Sequence, residues 1–460
     1  MIPLKSYEEA LLNLPVEIKE AEINAEEHEQ VAYKSKWGSI TSTNSSELTA
    51  LYVRATGEKT GYAYTENLNE SGETVIERAY KNGIYIETPS VDLLNDQTTA
   101  YFKSDVATKG KTGLNIGELP KMDLEIIKAQ VLRFDRCAHK LPNLVDYSVT
   151  LCVDQFKSRV INSKGVDISS AYQVWHYEVE VTCEYEDKRY DGSYSGNVSS
   201  FELMDFNEAV MKAHEMILNQ YAEGQMVSGT YPVLLDSRVV INILTTAWQL
   251  FSGPKYFEGS SALSDKLGQH IGASVLSIED ANRHPLTGYK YAFDSEGTPC
   301  QVHRIVEQGK FIGLLHNLRS AASMGTQSTG NAGRVALLTG SIPTDIIVTP
   351  RIIYVVPSQK SKETLLEEMI SGVYITDSSD IFHSINIGSG DFSIPCSGMV
   401  VKGGLAAQSV RSLTLNGNLL DLFRHIKSVG NDLKIEPFLL KSYCIGAPSV
   451  LVDRLNISCK

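Results

Sequence analysis

The sequence is short of everything that would declare a chemistry outright. Its 460 residues include 10 His and 7 Cys, and no two cysteines form a C-x-x-C pair. An odd number of dispersed cysteines fits reduced thiols better than a disulfide framework or a zinc knuckle, and the expectation is a cytoplasmic protein. Basic residues are in deficit, 42 Lys and Arg against 55 Asp and Glu, for a net charge of −13. No basic run offers a surface for phosphates, so nucleic acid is not an expected partner. Long apolar runs are missing too. The most apolar stretches, 239–244 and 346–357, are too short and too interrupted to span a bilayer. The start has no apolar h-region of a signal peptide. A membrane is therefore not an expected partner. Neither a G-x-S-x-G elbow nor a Walker-type phosphate loop occurs.

What is present describes an ordinary globular chain, 42% hydrophobic and 21% charged. At this length one core is not enough, and two domains are expected. Helical spacing appears in SYEEALLNL, ETVIERAYKNG and residues 123–140. Strands are expected over EQVAYKSKWGSIT, TALYVRAT, DYSVTLCVDQF and SRVINSKG. In YQVWHYEVEVTCEYE, Val174, His176, Glu178 and Glu180 alternate with Trp175, Tyr177, Val179 and Val181, a strand with one wetter face. DKRYDGSYSGN, rich in Gly, Ser and charge, reads as a hairpin loop or a mobile edge. Past Gly224 the texture turns to many strands, turn glycines and short helices. QVHRIVEQGKFIGLLH reads as a hairpin around Gln308–Gly309. The fold class expected is α+β: an N-terminal α/β domain over 1–224, then a C-terminal domain over 225–460 dominated by antiparallel sheet.

Three local constellations invite chemistry. His214–Glu215 begins like an H-E-x-x-H zinc helix, but Leu218 stands where the second His belongs. Asp205 as cap and the apolar stripe Phe206, Val210, Ala213, Ile217, Tyr221 make it a packing helix. Cys396, with His383 nearby in sequence, has nothing local to organise a triad. Asp294 and Glu296 suit acceptance of backbone donors at a turn better than substrate contact.

The residues 293–334, FDSEGTPCQVHRIVEQGKFIGLLHNLRSAASMGTQSTGNAGR, resemble the central signature of the TldD/PmbA (TldD/TldE) family. GDFSIPCSGMVVKGG (390–404) and SLTLNGNLLDLFRHIKSVGNDLKI (412–435) resemble two later motifs of that family, in the same order. The resemblance implies dimers whose interior cavity admits unfolded peptide. TldD-type members are zinc peptidases with an H-E-x-x-x-H helix and a Cys near the C-terminus as third ligand. TldE/PmbA-type members lack the metal site and pair with TldD, in the processing of leader peptides and degradation of small unfolded proteins. The family also carries a modulator of DNA gyrase label, which the acidic composition here does not support.

In the family pattern the metal helix follows G-T-x-P-V-x-L, here GTYPVLL (229–235). The H-E-x-x-x-H positions then fall on Thr245, Thr246, Ala247, Trp248, Gln249 and Leu250. Zinc sites are built from thiolate, imidazole and carboxylate, which Thr245, Thr246 and Leu250 do not supply. The resemblance is thus to the PmbA/TldE type, with no cofactor in this chain and zinc expected in a TldD-type partner. Cys444 lies near where a third ligand would come. Gly297, Gly330 and Gly333 fall in the motifs, as turn residues able to take positive φ. The expectation is a non-catalytic subunit holding unfolded peptide by strand addition. The alternatives are a homodimeric peptidase with a relocated metal site, and a peptide-binding or regulatory protein without proteolysis.

Overall fold

A computed structural model describes residues 2–85, 95, 119–221, 224–335, 345–438 and 442–459. The first half is organised by one rule of strand geometry, that successive side chains point to opposite faces. Six strands form a single sheet in the order Thr60–Thr65, Ser39–Thr56, Glu20–Lys36, Leu144–Asn162, Asp167–Tyr185, Lys188–Val198. Every pairing in it is antiparallel. The helical layer of the expected α/β domain is present, but among the described residues of this half no parallel pair is.

In all but the last strand of this sheet, odd-numbered side chains face the helices. Ala21, Ile23, Ala25, Leu51, Val53 and Ala55 pack on Val75, Ile76 and Ala79 of the helix Gly72–Asn82. Val149, Leu151, Val153, Val179 and Val181 pack on the helices Leu124–Ala138 and Phe206–Tyr221. The helix starts are set by side chains that satisfy orphan N–H groups. Ser71 accepts from Thr74 N, Asp123 from Glu125 N and Ile126 N, and Asp205 from Glu208 N.

Even-numbered side chains face the other way, toward the second half of the chain. Val174 packs with Tyr289, Ile352 and Ile435, and Val160 and Ile168 pack with Phe293. On the last strand, where the pairing sets even residues opposite odd ones, it is odd-numbered Asn197 that faces this way, and its Nδ2 donates to Ile435 O at 2.9 Å. The wetter face read in residues 174–180 is therefore half covered: Val174 is buried beneath the second domain, and Glu178 and Glu180 are exposed beyond it.

Two expectations differ. DYSVTLCVDQF and SRVINSKG belong to one strand, Leu144–Asn162, and DKRYDGSYSGN, expected as a hairpin loop or a mobile edge, is an edge, but a regular strand, Lys188–Val198. Its glycines are there for packing. A Cβ at Gly192 would sit 2.1 Å from Ala213 O, and one at Gly196 would meet the Tyr177 ring at 2.4 Å.

The second half holds two large sheets around one core, besides the short antiparallel pair Ala332–Gly333 and Ile347–Val348. Strands Leu405–Asn418, Asp391–Lys402, Ser371–Ser378, Gly229–Leu235 and Val450–Cys459 pair in that order, and the last pairs back with the first to close a ring. A second sheet runs Lys310–Phe311, His303–Glu307, Ile278–Ala281, Ile352–Val355, Tyr443–Ala447, Lys434–Phe438. Its first two strands are the hairpin read in the sequence, turned by Gln308 and Gly309 at φ 48° and 77°. The helix Ser237–Ala247 lies between the two sheets, packed on Ser371–Ser378 from the ring and on Tyr443–Ala447 from the other. No helix among the described residues is long and apolar enough to cross a membrane.

Candidate functional site

The central helix is where a metal of this family would be sought. Asp236 caps it through Arg238 N, and Tyr374 OH donates to the same carboxylate. Its last turn and the 3₁₀ turn Trp248–Phe251 are immersed in the main core. Thr245, Thr246 and Leu250 are all buried, Leu250 completely. Thr245 Oγ1 donates back to Ile241 O at 2.8 Å. Thr246 Oγ1 is buried without a hydrogen-bond partner. Trp248 meets Tyr443 edge-on, ring centroids 5.9 Å apart.

Cys444 cannot complete a site there. Tyr443 turns toward the helix, so its strand neighbour Cys444 points to the opposite face and packs with Tyr289, Ile352 and Val174. Its Sγ lies 3.8 Å from Tyr291 OH, and burial pushes the thiol well above its ordinary range. A hydroxyl pair, a leucine and a thiol on the wrong side of a sheet do not fit zinc.

Six histidines are engaged where they stand. His303 Nε2 bonds Thr329 O at 2.6 Å, His425 Nδ1 bonds Asp421 O at 2.6 Å, and His383 Nδ1 meets Asp380 at 2.6 Å. His316 shares a hydrogen bond with Ser320 Oγ, and burial lowers it to about 4. His284 Nδ1 accepts from Leu286 N. His214 is buried and shares a 2.8 Å hydrogen bond with Tyr185 OH, while Glu215 pairs with Lys362 at 3.0 Å. Among the described residues no three His, Cys, Asp or Glu converge as a metal site. Cys396 is buried in the main core, where burial pushes its thiol up to about 12, so at neutral pH it is not a thiolate nucleophile.

The motif residues 294–334 form a hydrogen-bonded knot. Asp294 accepts from the N–H groups of Glu296, Thr298 and Ala332, which ties the turn to the S-T-G-N-A segment. Asn331 donates to Asp280 at 2.7 Å and to Thr349 O at 2.9 Å. Glu296 accepts from Leu318 N at 2.9 Å and, across the domain boundary, from Arg54 Nη1 at 2.9 Å. Gly297 and Gly330 take φ of +74° and +72°, as turns of this kind require. Gly333 does not. It is a site of close approach, since a Cβ there would meet Thr349 Oγ1 at 2.1 Å.

Beside the knot lies a charged pocket that sequence reading missed. The even face of the first sheet supplies Asn24, Glu26 and Tyr52, and the second domain supplies Tyr291, Asp294, Arg334 and Arg351 around a cavity of about 290 Å³. Glu22 stands beside Arg54 in register, 3.2 Å from Arg54 Nη2, with neither of its oxygens in a hydrogen bond. Burial raises Glu22, with Arg54 pulling it back, and raises Glu26, with Arg334 pulling it back. Burial beside Glu296 pushes Asp294 up to about 7, although three backbone donors favour its ionised form. One signal could have found part of this. Extending the strand expected from Glu29 back to Glu20 puts Glu22, Asn24 and Glu26 on one face with a period of two.

The comparisons with known proteins agree on one family. A profile described as the PmbA/TldA metallopeptidase C-terminal domain matches residues 228–459. A metalloprotease of Methanothermobacter thermautotrophicus is 22% identical over 433 residues, covering 92% of this chain and 91% of its own. The PmbA homologue of Haemophilus influenzae, a metalloprotease by name, is 24% identical over 421 residues, with 87% of this chain and 84% of its own covered. A Thermotoga maritima structure with a gyrase-modulator label superposes with a TM-score of 0.83 at 24% identity, covering 99% of this chain and 100% of that one. TldE from Thermococcus kodakarensis superposes with a TM-score of 0.79 at 18% identity, covering 96% and 97%. These two structures share the fold.

Proposed function

This chain belongs to the PmbA/TldD metallopeptidase family, and from that premise we propose that it is the non-catalytic, TldE/PmbA-like subunit of a two-chain zinc peptidase acting on unfolded or leader peptides. One observation carries the reading: the helical turn at the family's metal position presents Thr245, Thr246 and Leu250 to a sealed apolar core. A metal there would need imidazole, carboxylate or thiolate ligands and an open position for water. The turn has none of these, and no hydrolytic step is routed through this chain. Its contribution is a wall of the chamber that holds the peptide, with zinc supplied by the TldD-type partner.

The test is reconstitution. Co-expressed with an H-E-x-x-x-H chain from the same organism, this protein should co-purify with it and raise its peptidase activity at least tenfold. An H-E-x-x-x-H chain that is fully active alone and does not co-purify would refute the reading.

A further inference from the structure

The charged pocket between the domains has hydrogen-bonding capacity that the protein does not use. Arg351 is 6% exposed and lines the cavity, yet its Nε has no hydrogen-bond partner among the described residues, its Nη2 being spent on Ala332 O and Thr349. Arg334 lines the same cavity with its guanidinium carbon 4.8 Å above the Tyr52 ring. Its Nε and Nη1 are also buried without hydrogen-bond partners among the described residues. Three donor nitrogens from two cations, all unspent, are costly to leave so, and native proteins rarely do. They mark a place for an acceptor.

We propose that this pocket binds a peptide carboxylate, held by Arg334 and Arg351 and flanked by Tyr52 and Tyr291. Guanidinium groups suit planar oxyanions, and hydrogen bonds to charged partners are roughly twice as strong as neutral ones. Glu26 also lines the cavity, where its Oε1 already accepts from Asn24 Nδ2 at 3.3 Å. Burial raises Glu26, with Arg334 pulling it back, so its charge opposes an incoming carboxylate less than that of a solvated glutamate would. A cavity of about 290 Å³ sits at the lower limit of small-molecule sites, roughly 300 Å³. It takes the end of a chain or a single acidic side chain, not a folded segment. The site lies across the second sheet from the central helix, on the Tyr291 side rather than the Tyr443 side, so it is separate from the family's metal position. That the carboxylate belongs to a peptide rests on the function proposed above; that it is a carboxylate rests on the pocket.

Calorimetry on the full chain at pH 7 tests this with acetyl-Ala-Phe as the free acid, the same dipeptide as its C-terminal amide, and acetyl-Ala-Asp-Ala-amide. The free acid or the aspartyl peptide should bind at least tenfold more tightly than the Phe amide, and which of the two does so identifies a terminal or a side-chain carboxylate. Arg334→Gln should abolish that preference, with circular dichroism showing the fold intact. This acid-over-amide comparison needs no variant, so a misfolded Arg334→Gln would not spare the proposal. Equal binding of acids and amide, or none at millimolar peptide, overturns it. Co-purification of wild-type protein with an H-E-x-x-x-H chain is scored separately. If pairing persists without carboxylate preference, the pocket inference falls and the subunit reading stands; preference without pairing has the opposite meaning.

Discussion

Two interior regions of this chain carry polar atoms, and they treat them in opposite ways. Around the central helix, polarity has been removed: one threonine hydroxyl is folded back onto the backbone, one is orphaned, and leucine and tryptophan fill the rest. Between the domains, polarity is concentrated. Glu22, Arg54, Glu296, Asp294 and Arg351 are each at most 6% exposed, linked through one ion-pair chain and one hydrogen-bonded knot. Burying charge is expensive, and such clusters are weak evidence for stability. The difference suggests that the helix now serves packing, while the interface keeps an arrangement only ligand or domain alignment would justify.

The comparison can be broken most severely by restoring a ligand to the apolar region. Leu250→His should destabilise the chain by about 3–5 kcal/mol, through a lost apolar side chain and a buried imidazole. It should bind no zinc, because Cys444 faces away. A urea melt with metal analysis checks both. Close behind comes Glu296→Ala, which leaves Arg54 short of one carboxylate and Leu318 N without its acceptor. Removing one partner of a buried pair costs about 3–5 kcal/mol, read as a shift of the urea midpoint.

Gly330→Ala forces a side chain into φ +72° and puts a Cβ 2.8 Å from Pro299 O. Strain of that kind costs about 1–3 kcal/mol, measurable by thermal unfolding. Acid sensitivity sharpens the picture further. His316 titrates near 4 in the fold against about 6.5 unfolded. The stability it contributes is complete above the unfolded value and is lost as pH falls through 4. His316→Gln should therefore flatten the fall in stability between those two pH values. The smallest effect belongs to Thr246→Val, which replaces an orphaned hydroxyl with a methyl of similar shape. It should be neutral or stabilising by up to ~1 kcal/mol, whereas Thr245→Val gives up a hydrogen bond.

The sequence made much of the first region legible and little of the second. The GTYPVLL approach and the absence of His at 245 and 250 lie within one short stretch. Glu22, Arg54 and Glu296 do not. Arg54 and Glu296 are 242 positions apart and meet only because the even face of the first sheet is covered by the second domain. The segment 188–198 was legible as an edge but not as a regular strand, for a related reason. Its glycines look like loop punctuation, but Gly192 admits a helix backbone and Gly196 an aromatic ring, partners that are distant in sequence. The reading of Asp294 and Glu296 as acceptors of backbone donors was accessible because a D-x-E-G turn carries its main acceptor geometry locally; the arginine that Glu296 also binds was not.

The account stands or falls on whether this chain carries a metal. Zinc in the purified, tag-free protein, measured by elemental analysis at known protomer concentration, should be near zero. It should approach one per pair only when a TldD-type chain co-purifies. One zinc per protomer in the isolated chain would contradict the account and place a metal site elsewhere in the molecule.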